Sequence, residues 1–456
     1  MNIYLVIDNS TTRIHGVHGE MFSKLRRDVS HFDMSKYLRT GKRNADICYN
    51  YLIDRDGQFP TGLLPYVINF LDKNSLVYHL VDNRLIPKSK VKGLSQLTPE
   101  PSPYPPQKEA VQAALNSTGR GISVLPTGTG KTRTLKDMIL AFGHRALVIP
   151  PSKNLKTQVY EYLASCFGER HVQFYERGCQ PKAITVMNFH AIKSEDPEFF
   201  DDFDMYIFDE FHHAKNNTIR GVDQTHLSKI YYKFGMTATD YTNDPYESIL
   251  LNSVLSQRLY SMKTIDAVRG GYINQVVPIF KRLQNASLSS TGNYQKDMPI
   301  FIDKNDERND FVVKQSKKIL DMKIPQIILV KHIAHGRELS KLIPDSIFIN
   351  GQDGSSKKNM DVINRFNNLE YPIVIGTDVI GEGVDTKACG AMFNLAGGKA
   401  KSVLMQRAGR SCRTFPNQNV GFYFDFYDVG SKPLFKHSKA RAKILGEEYC
   451  IGVNEV

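Results

Sequence analysis

From Gly121 onward, short apolar runs alternate with amphipathic stretches of helix length. Ile122–Leu125, Arg145–Pro150, Asp204–Glu210 and Tyr232–Ala238 each have the length of a strand. That alternation predicts a parallel sheet covered by helices. After about residue 300 the pattern restarts, with Gln326–Lys331, Asp345–Gly351, Tyr371–Thr377, Ala391–Leu395 and Asn419–Asp428 as strands and Ser355–Asn367 as a helix between them. No repeat of short period is present. The economical reading is an α/β chain with two tandem parallel-sheet domains joined within about 245–300.

The first 95 residues differ in pattern. They mix β-like runs such as Ile3–Ile7 with a basic stretch, Lys24–Arg27, and a turn at Asp54–Gly57. A polar, proline-studded passage from Pro87 to Pro106 follows and reads as a linker, because such composition cannot pack a core. The expected organisation is a small α+β accessory domain over 1–95, a first sheet domain over 96–275 and a second over 276–456.

Hydrophobic residues make up 41% of the 456 and charged residues 23%, so the chain can bury substantial cores and is not a disordered scaffold. Its six cysteines lie far apart with no C-x-x-C pair, which disfavours a zinc ribbon or a disulfide framework and suits a reducing cytoplasm. No apolar run reaches the roughly 18 residues that span a bilayer, and the start is too short and too soon acidic for a signal peptide. The expectation is a cytoplasmic protein with no membrane partner.

Net charge is +12, unevenly spread. Residues 1–95 carry 14 basic and 9 acidic side chains, 96–245 carry 16 and 17, and 246–456 carry 29 and 21. The middle is therefore neutral and both ends attract polyanions.

The chemistry begins at Leu125-Pro-Thr-Gly-Thr-Gly-Lys-Thr132, placed between a strand and a helix expected from Thr132 to about Phe142. A glycine-rich turn at a helix N-terminus aims backbone N–H groups at phosphates. Lys131 would reach the β- and γ-phosphates of ATP and Thr132 would hold Mg²⁺. Leu125 stands where the usual phosphate-loop pattern has its first glycine.

A second strand ends in Phe208-Asp-Glu-Phe-His212. Adjacent carboxylates there suit metal-assisted phosphoryl transfer, with Asp209 holding Mg²⁺ through water and Glu210 polarising the attacking water. His212 and His213 read as polar contacts rather than metal ligands, with His212 coupling the ATP site to Thr237-Ala-Thr239. Near the other end, Gln406-Arg-Ala-Gly-Arg-Ser-Cys-Arg413 places arginines along one predicted helix. Arg410 and Arg413 are three apart and share a face, so both could reach one phosphate group as arginine fingers. Taken alone, this run would read as a solvated basic face.

In order, these segments resemble the motifs of superfamily 2 helicases of the DExH form, over about 330 residues from Tyr104 to the end. Tyr104 and Gln107 resemble the adenine-reading Q motif. Pro126, Thr127, Gly128, Thr129, Gly130, Lys131 and Thr132 belong to motif I. Pro151–Gln158 resembles motif Ia, Val186–His190 stands where motif Ib lies, Asp209–His212 is motif II and Gly235–Asp240 resembles motif III. Ile328–Lys331 resembles motif IV, Ile375–Asp385 motif V, and Gln406–Arg413 motif VI. Asp240 departs from the proline that commonly follows T-A-T.

The resemblance implies two RecA-like domains with ATP and Mg²⁺ between them. Gln406, Arg410 and Arg413 would join Lys131, Asp209 and Glu210 in catalysis, and Gly383 and Asp385 would contribute to nucleotide binding. It further implies a nucleic-acid strand held through phosphates near Pro151, Ser152, Lys153, Asn188, Lys331, Thr377 and Asp378. For Ser152 and Thr377, plain capping or turn chemistry is the competing reading.

The basic N-terminal region and the segment Pro60–Leu71 are similar to phage UvsW-type branch-migration helicases, including the version of T5-like phages. This implies branched or forked DNA as partner, action as a monomer in the host cytoplasm, and duplex contacts from Arg13, Lys24, Arg26, Arg27, Lys42 and Arg43. Taken alone, each of these reads better as a solvated surface charge, and the basic stretch Lys432–Lys443 has the same ambiguity. Three basic residues of motif VI face ATP on this reading, so the N-terminal surplus is the sharper clue to DNA. Competing functions are a general RNA or DNA helicase, the motor of a restriction system, and a nucleic-acid clamp with vestigial motifs.

Overall fold

A computed structural model describes residues 2–32, 48–87, 90–91, 94, 104–211, 217–239, 245–284, 287–353, 356–377, 380, 386–411 and 420–456. They form two compact units, residues 1–124 with 132–261, and residues 125–131 with 262–456.

The first unit contains a small four-stranded sheet. Its strands are β1 (Ile3–Ile7), β2 (Thr11–His15), β5 (Gln58–Pro60) and β6 (Tyr78–Asp82), in the order β5-β2-β1-β6; β3 (Ser30–Phe32) and β4 (Tyr49–Tyr51) form a separate antiparallel pair. The Asp54–Gly57 turn forms because Asp54 Oδ1 accepts from the N–H groups of Asp56 (2.9 Å) and Gln58 (2.7 Å). One face of the sheet packs its alternate residues Ile3, Leu5 and Ile14 against Leu25, Val67 and Leu71 from helices Gly19–Asp28 and Leu64–Lys73.

The larger sheet of this unit is wholly parallel and has seven strands: β7 (Arg120–Val124), β8 (Ala146–Ile149), β9 (Val172–Phe174), β10 (Ile184–Val186), β11 (Met205–Phe208), β12 (Tyr232–Thr237) and β13 (Arg258–Ser261). Their order is β13-β7-β12-β11-β8-β10-β9. Strands β7, β8 and β11 are buried along their whole length, as expected of a sheet covered on both faces. Strands β9, β10 and β13 are three or four residues long, too short to show a period in the sequence.

The small sheet docks on the large one through a buried polar cluster. Lys233 Nζ donates to Asp223 Oδ1 (2.7 Å), to Leu227 O (3.3 Å) and to Ser10 Oγ. Arg120 donates to the Asn9 carbonyl, and Ser10 Oγ donates to Asp223 O (2.9 Å). Burial lowers the Lys233 pKa to about 8, against the opposing pull of Asp223. Gly62 adds a second point of close approach, since a Cβ there would lie 2.2 Å from Asn252 O and 2.5 Å from Ser253 O. The N-terminal sheet and the first parallel sheet thus belong to one packed unit.

The second unit is another seven-stranded parallel sheet, made of β14 (Gln275–Leu283), β15 (Gln326–Val330), β16 (Ser346–Ile349), β17 (Ile373–Gly376), β18 (Ala391–Leu395), β19 (Val420–Asp428) and β20 (Asn454–Glu455). The order is β16-β17-β15-β18-β19-β14-β20. Strand β14 adds to the predicted set: its buried positions alternate through Val276, Pro278 and Phe280, and the proline within that run disguises it as a strand. The helix expected over Ser355–Asn367 spans Ser356–Asn367, and the basic stretch beginning at Lys432 extends as one helix to Tyr449.

None of the five described cysteines forms a disulfide, and among the described residues no helix is long and apolar enough to cross a membrane.

Candidate ATP site and nucleic-acid interface

Parallel strands bring their C-terminal ends to one edge, and register decides what meets there. In the first unit Val124 pairs with Thr237, Phe208 with both Gly235 and Ile149, and Val148 with Val186. The segments that leave this edge side by side therefore begin at Leu125, Ala238, Asp209, Pro150 and Met187. They carry the residues of motifs I, III, II, Ia and Ib in that spatial order.

The phosphate loop bends at two glycines, Gly128 with φ +92° and Gly130 with φ +85°, a backbone region that side chains disfavour. Thr129 closes the turn, its hydroxyl donating to Pro126 O at 2.7 Å and its N–H to the same oxygen at 3.3 Å. Lys131 and Thr132 open helix Lys131–Phe142, one residue earlier than expected. Thr127, Gly128 and Gly130 are half-buried.

Asp209 is buried, and its Oδ1 accepts from the Glu210 N–H at 3.0 Å. Glu210 adopts φ +50°, a left-handed conformation uncommon for a residue with a side chain and concentrated at functional sites. Thr237 and Thr239 are both buried and bond one another: the Thr237 hydroxyl donates to Thr239 O (3.3 Å) and accepts from Thr239 N–H (3.4 Å). Gln107 is buried and its N–H donates to Tyr104 O (3.1 Å), at the start of helix Pro105–Leu115.

Ser152 caps helix Lys153–Phe167, accepting from Leu155 N–H at 3.3 Å, so the capping chemistry that competes with a phosphate role for this hydroxyl is present. Pro151 and Lys153 flank it, and Asn188 precedes the short helix Phe189–Ile192.

In the second unit, Lys331 follows β15 and Thr377 follows β17, adjacent strands that end on one edge. Lys331 is exposed and Thr377 half-buried. Motif VI lies on helix Lys401–Ser411, where Gln406 is half-buried and Arg410 is buried with Nη1 donating to Thr386 Oγ1 at 3.3 Å.

Arg407, the neighbouring basic residue of this motif, is buried. Its Nη1 donates to Asn394 Oδ1 (3.0 Å) and to Gly397 O (2.7 Å). Asn394 in turn donates to Asp425 Oδ2 (3.0 Å), and Asp425 receives Arg441 Nε and Nη2, each at 2.7 Å. Burial works against the Arg441 charge, and the Asp425 carboxylate overrides it, holding the guanidinium pKa above its ordinary value. The basic stretch on the last helix is thus split, with Arg441 turned into the core. No local sequence signal could have revealed this, because Asp425 and Arg441 lie on different elements.

Among the N-terminal candidates, Arg13, Lys24 and Arg27 are exposed. Arg26 is committed to packing: its Nε donates to Ile53 O (3.0 Å) and its guanidinium lies 4.2 Å from the Tyr51 ring centroid. Lys42, Arg43, His212, His213, Asp240, Asp378, Gly383, Asp385 and Arg413 lie outside the described residues.

Two family models match the chain: "Type III restriction enzyme, res subunit" over residues 100–241 and "Helicase conserved C-terminal domain" over residues 300–414. This chain is a superfamily 2 helicase.

As such it is an ATP-dependent enzyme. The helicase is 24% identical over 355 residues to the DNA 3'-5' translocase XPB2 of Sulfurisphaera tokodaii, covering 67% of this chain and 77% of that protein. It spans 65%, 63% and 60% of three further relatives named as helicases. In structure it is similar to a fragment assigned as an HsdR subunit of a type I restriction enzyme from Vibrio vulnificus YJ016, with TM-score 0.62, 16% identity, and 81% of this chain and 71% of that one covered. UvsW of phage T4 aligns over 100% of this chain and 99% of its own at 19% identity and TM-score 0.47, too low to place the helicase in that branch.

The site residues fit a magnesium nucleotide. The two left-handed glycines turn the loop at the start of a twelve-residue helix, and Asp209 with Thr132 offers the oxygen donors that Mg²⁺ prefers.

Proposed function

We propose that this helicase is an ATP-driven DNA motor acting on branched substrates, driving Holliday-junction migration and fork regression in phage recombination, repair and replication. The observation that carries the motor chemistry is the common edge on which the Asp209–Glu210 pair stands beside the segments following β7 and β12. Bound Mg–ATP supplies the phosphoanhydride to be cleaved. Lys131 would meet the phosphate charge, while Asp209 and Thr132 would hold Mg²⁺. Glu210 orients the attacking water and takes its proton, and Arg410 and Arg413 meet the charge that develops on the transferred phosphoryl group. Gln107 and Tyr104 read the base.

DNA rather than RNA is supported by the similarity of Pro60–Leu71 and the basic N-terminal region to UvsW-type enzymes, and by the name of the Sulfurisphaera relative, a DNA translocase. Arg13, Lys24 and Arg27 are the proposed duplex contacts. Pro151, Lys153, Asn188, Lys331 and Thr377 hold the translocated strand through its phosphates. The protein acts as a monomer.

The test compares ATP turnover with branched DNA and with structured RNA, then unwinding of Holliday junctions, forks and simple tailed duplexes side by side. Greater stimulation by branched DNA and preference for forks or junctions are expected. Stimulation by RNA alone, or equal activity on tailed duplexes, sinks the branch-migration reading.

A restriction-system motor is the second reading, favoured by the description of the matching first family model. Incubation with plasmid, Mg²⁺ and ATP separates the two, since nicking supports the restriction role.

A further inference from the structure

The last long helix, Lys432–Tyr449, carries a lysine row that the motor motifs leave unused. Lys432, Lys436, Lys439 and Lys443 are all exposed, at spacings of four, three and four residues. That spacing puts them on one helical face over about 16 Å. The opposite face buries Leu434, Ala442 and Leu445, so the row follows from how the helix packs. Lys443 is already engaged with Glu447 at 3.7 Å, and Lys439 Nζ lies over the Phe435 ring, 4.7 Å from its centroid, a contact that keeps its charge on the exposed face.

A solvated basic face would end there. Here a second element converges on the first turns of the helix. The β18 strand ends at Leu395, and two left-handed glycines, Gly397 (φ +63°) and Gly398 (φ +91°), lead to the exposed Lys399. That turn is held in place from three sides. Arg407 donates to Gly397 O and Arg441 to Gly398 O, both at 2.7 Å, and the Gly398 N–H donates to the Tyr294 hydroxyl, also at 2.7 Å. A Cβ on Gly397 would lie 2.7 Å from that hydroxyl.

Tyr294 packs against His437 with ring centroids 4.3 Å apart. His437 reports the local field. Its pKa is lowered by burial and then by Lys399, Arg441 and Lys436, with no carboxylate among the groups acting on it, and its Nδ1 finds no hydrogen-bond partner among the described residues.

The position is informative. Strands β17, β15, β18 and β19 are neighbours in a parallel sheet, so Thr377, Lys331, Lys399 and the start of the lysine helix all lie along the same edge. A polyanion following Thr377 and Lys331 along that edge would next meet Lys399 and the helix.

We propose that Lys399, Lys432, Lys436 and Lys439, with the Tyr294–His437 ring pair beside them, form an additional phosphodiester-backbone contact for the nucleic acid that this helicase engages. The inference rests on the nucleic-acid motor reading but not on its choice of branched DNA. Lysines supply phosphate neutralisation without sequence preference, and the aromatic pair offers a face against which a sugar or base can rest.

The test is equilibrium binding of a labelled duplex and a labelled single strand to the full chain without nucleotide, from 50 to 200 mM salt. The variants carry Lys399→Gln, Lys432→Gln, Lys436→Gln and Lys439→Gln together, or the same four positions changed to Arg. Each lysine–phosphate pairing that the glutamines abolish should lower the slope of log K against log salt by about 0.9 for the duplex or about 0.7 for the single strand. The fall identifies which form occupies the patch. The arginine variant should retain the wild-type slope, and unchanged thermal unfolding midpoints confirm that both fold. An unchanged slope in the glutamine variant for both ligands, or an equal fall in the arginine variant, overturns the proposal. Because no ATP is present, absence of nucleic-acid-stimulated ATP turnover in the wild type defeats the motor reading separately.

Discussion

Lys233 Nζ lies 2.7 Å from Asp223 Oδ1, with both side chains buried where the N-terminal sheet meets the first parallel sheet. Removing one member of such a pair leaves the other charged in a dry interior. Lys233→Met should destabilise the chain by about 3–5 kcal/mol in urea unfolding. A loss below about 1 kcal/mol would show that Tyr206, whose hydroxyl donates to Asp223 at 3.0 Å, suffices as its partner.

The same lysine sets a pH dependence. Folded, it loses its proton near pH 8; unfolded, near 10.5. Between those values the unfolded chain binds more protons, so stability rises with pH. Wild type should therefore gain stability relative to Lys233→Met as pH increases from about 8 to 10. Parallel stability–pH curves for the two proteins would contradict the assignment.

Gly62 is packed against the backbone carbonyls of Asn252 and Ser253, which cannot rotate away. Gly62→Ala should cost about 1–3 kcal/mol through overpacking. The control is Gly221→Ala, in helix Asn217–Thr225, where nothing lies within 4 Å of an added Cβ and a gain of about 1 kcal/mol is expected. Thermal melts of the two variants should shift in opposite directions.

Asp425 accepts two hydrogen bonds from Arg441 and one from Asn394, the residue that also holds Arg407. Asp425→Asn strands the buried guanidinium and should cost about 3–5 kcal/mol in denaturant unfolding. Asp425→Glu, which keeps the charge, should recover part of that loss. Equal losses for the two would assign the effect to shape rather than charge.

At the ATP site, Glu210→Gln should lower kcat for ATP hydrolysis by about 10²–10⁴, as expected on removing a general base. Arg410→Ala should lower it by about 10³ or more, the usual worth of an arginine finger. In both, nucleic-acid binding without nucleotide should persist. If Arg410→Ala alters nucleotide binding but not kcat, its bond to Thr386 is a structural tie rather than a poised catalytic contact.

By itself the sequence determined the α/β class, seven motor segments on strand ends, and the glycine-rich turn ahead of Lys131. These are properties of short stretches: a strand's apolar run, a helix N-terminus, a glycine that only its own backbone angle requires. The shortest strands were illegible because three or four residues carry no distinctive period, and the nine-residue β14 because a proline stands inside its run.

What only the tertiary structure decided concerns partners far apart in the chain. Register aligned Val124 with Thr237 and Phe208 with Ile149, bringing separate motifs to one edge. Long-range pairing buried Arg407 and Arg441 among partners from other elements, and left Lys399, Lys432, Lys436 and Lys439 exposed. An arginine's charge is visible in the sequence. Whether that charge faces solvent or a buried carboxylate depends on packing between elements, which no local pattern encodes.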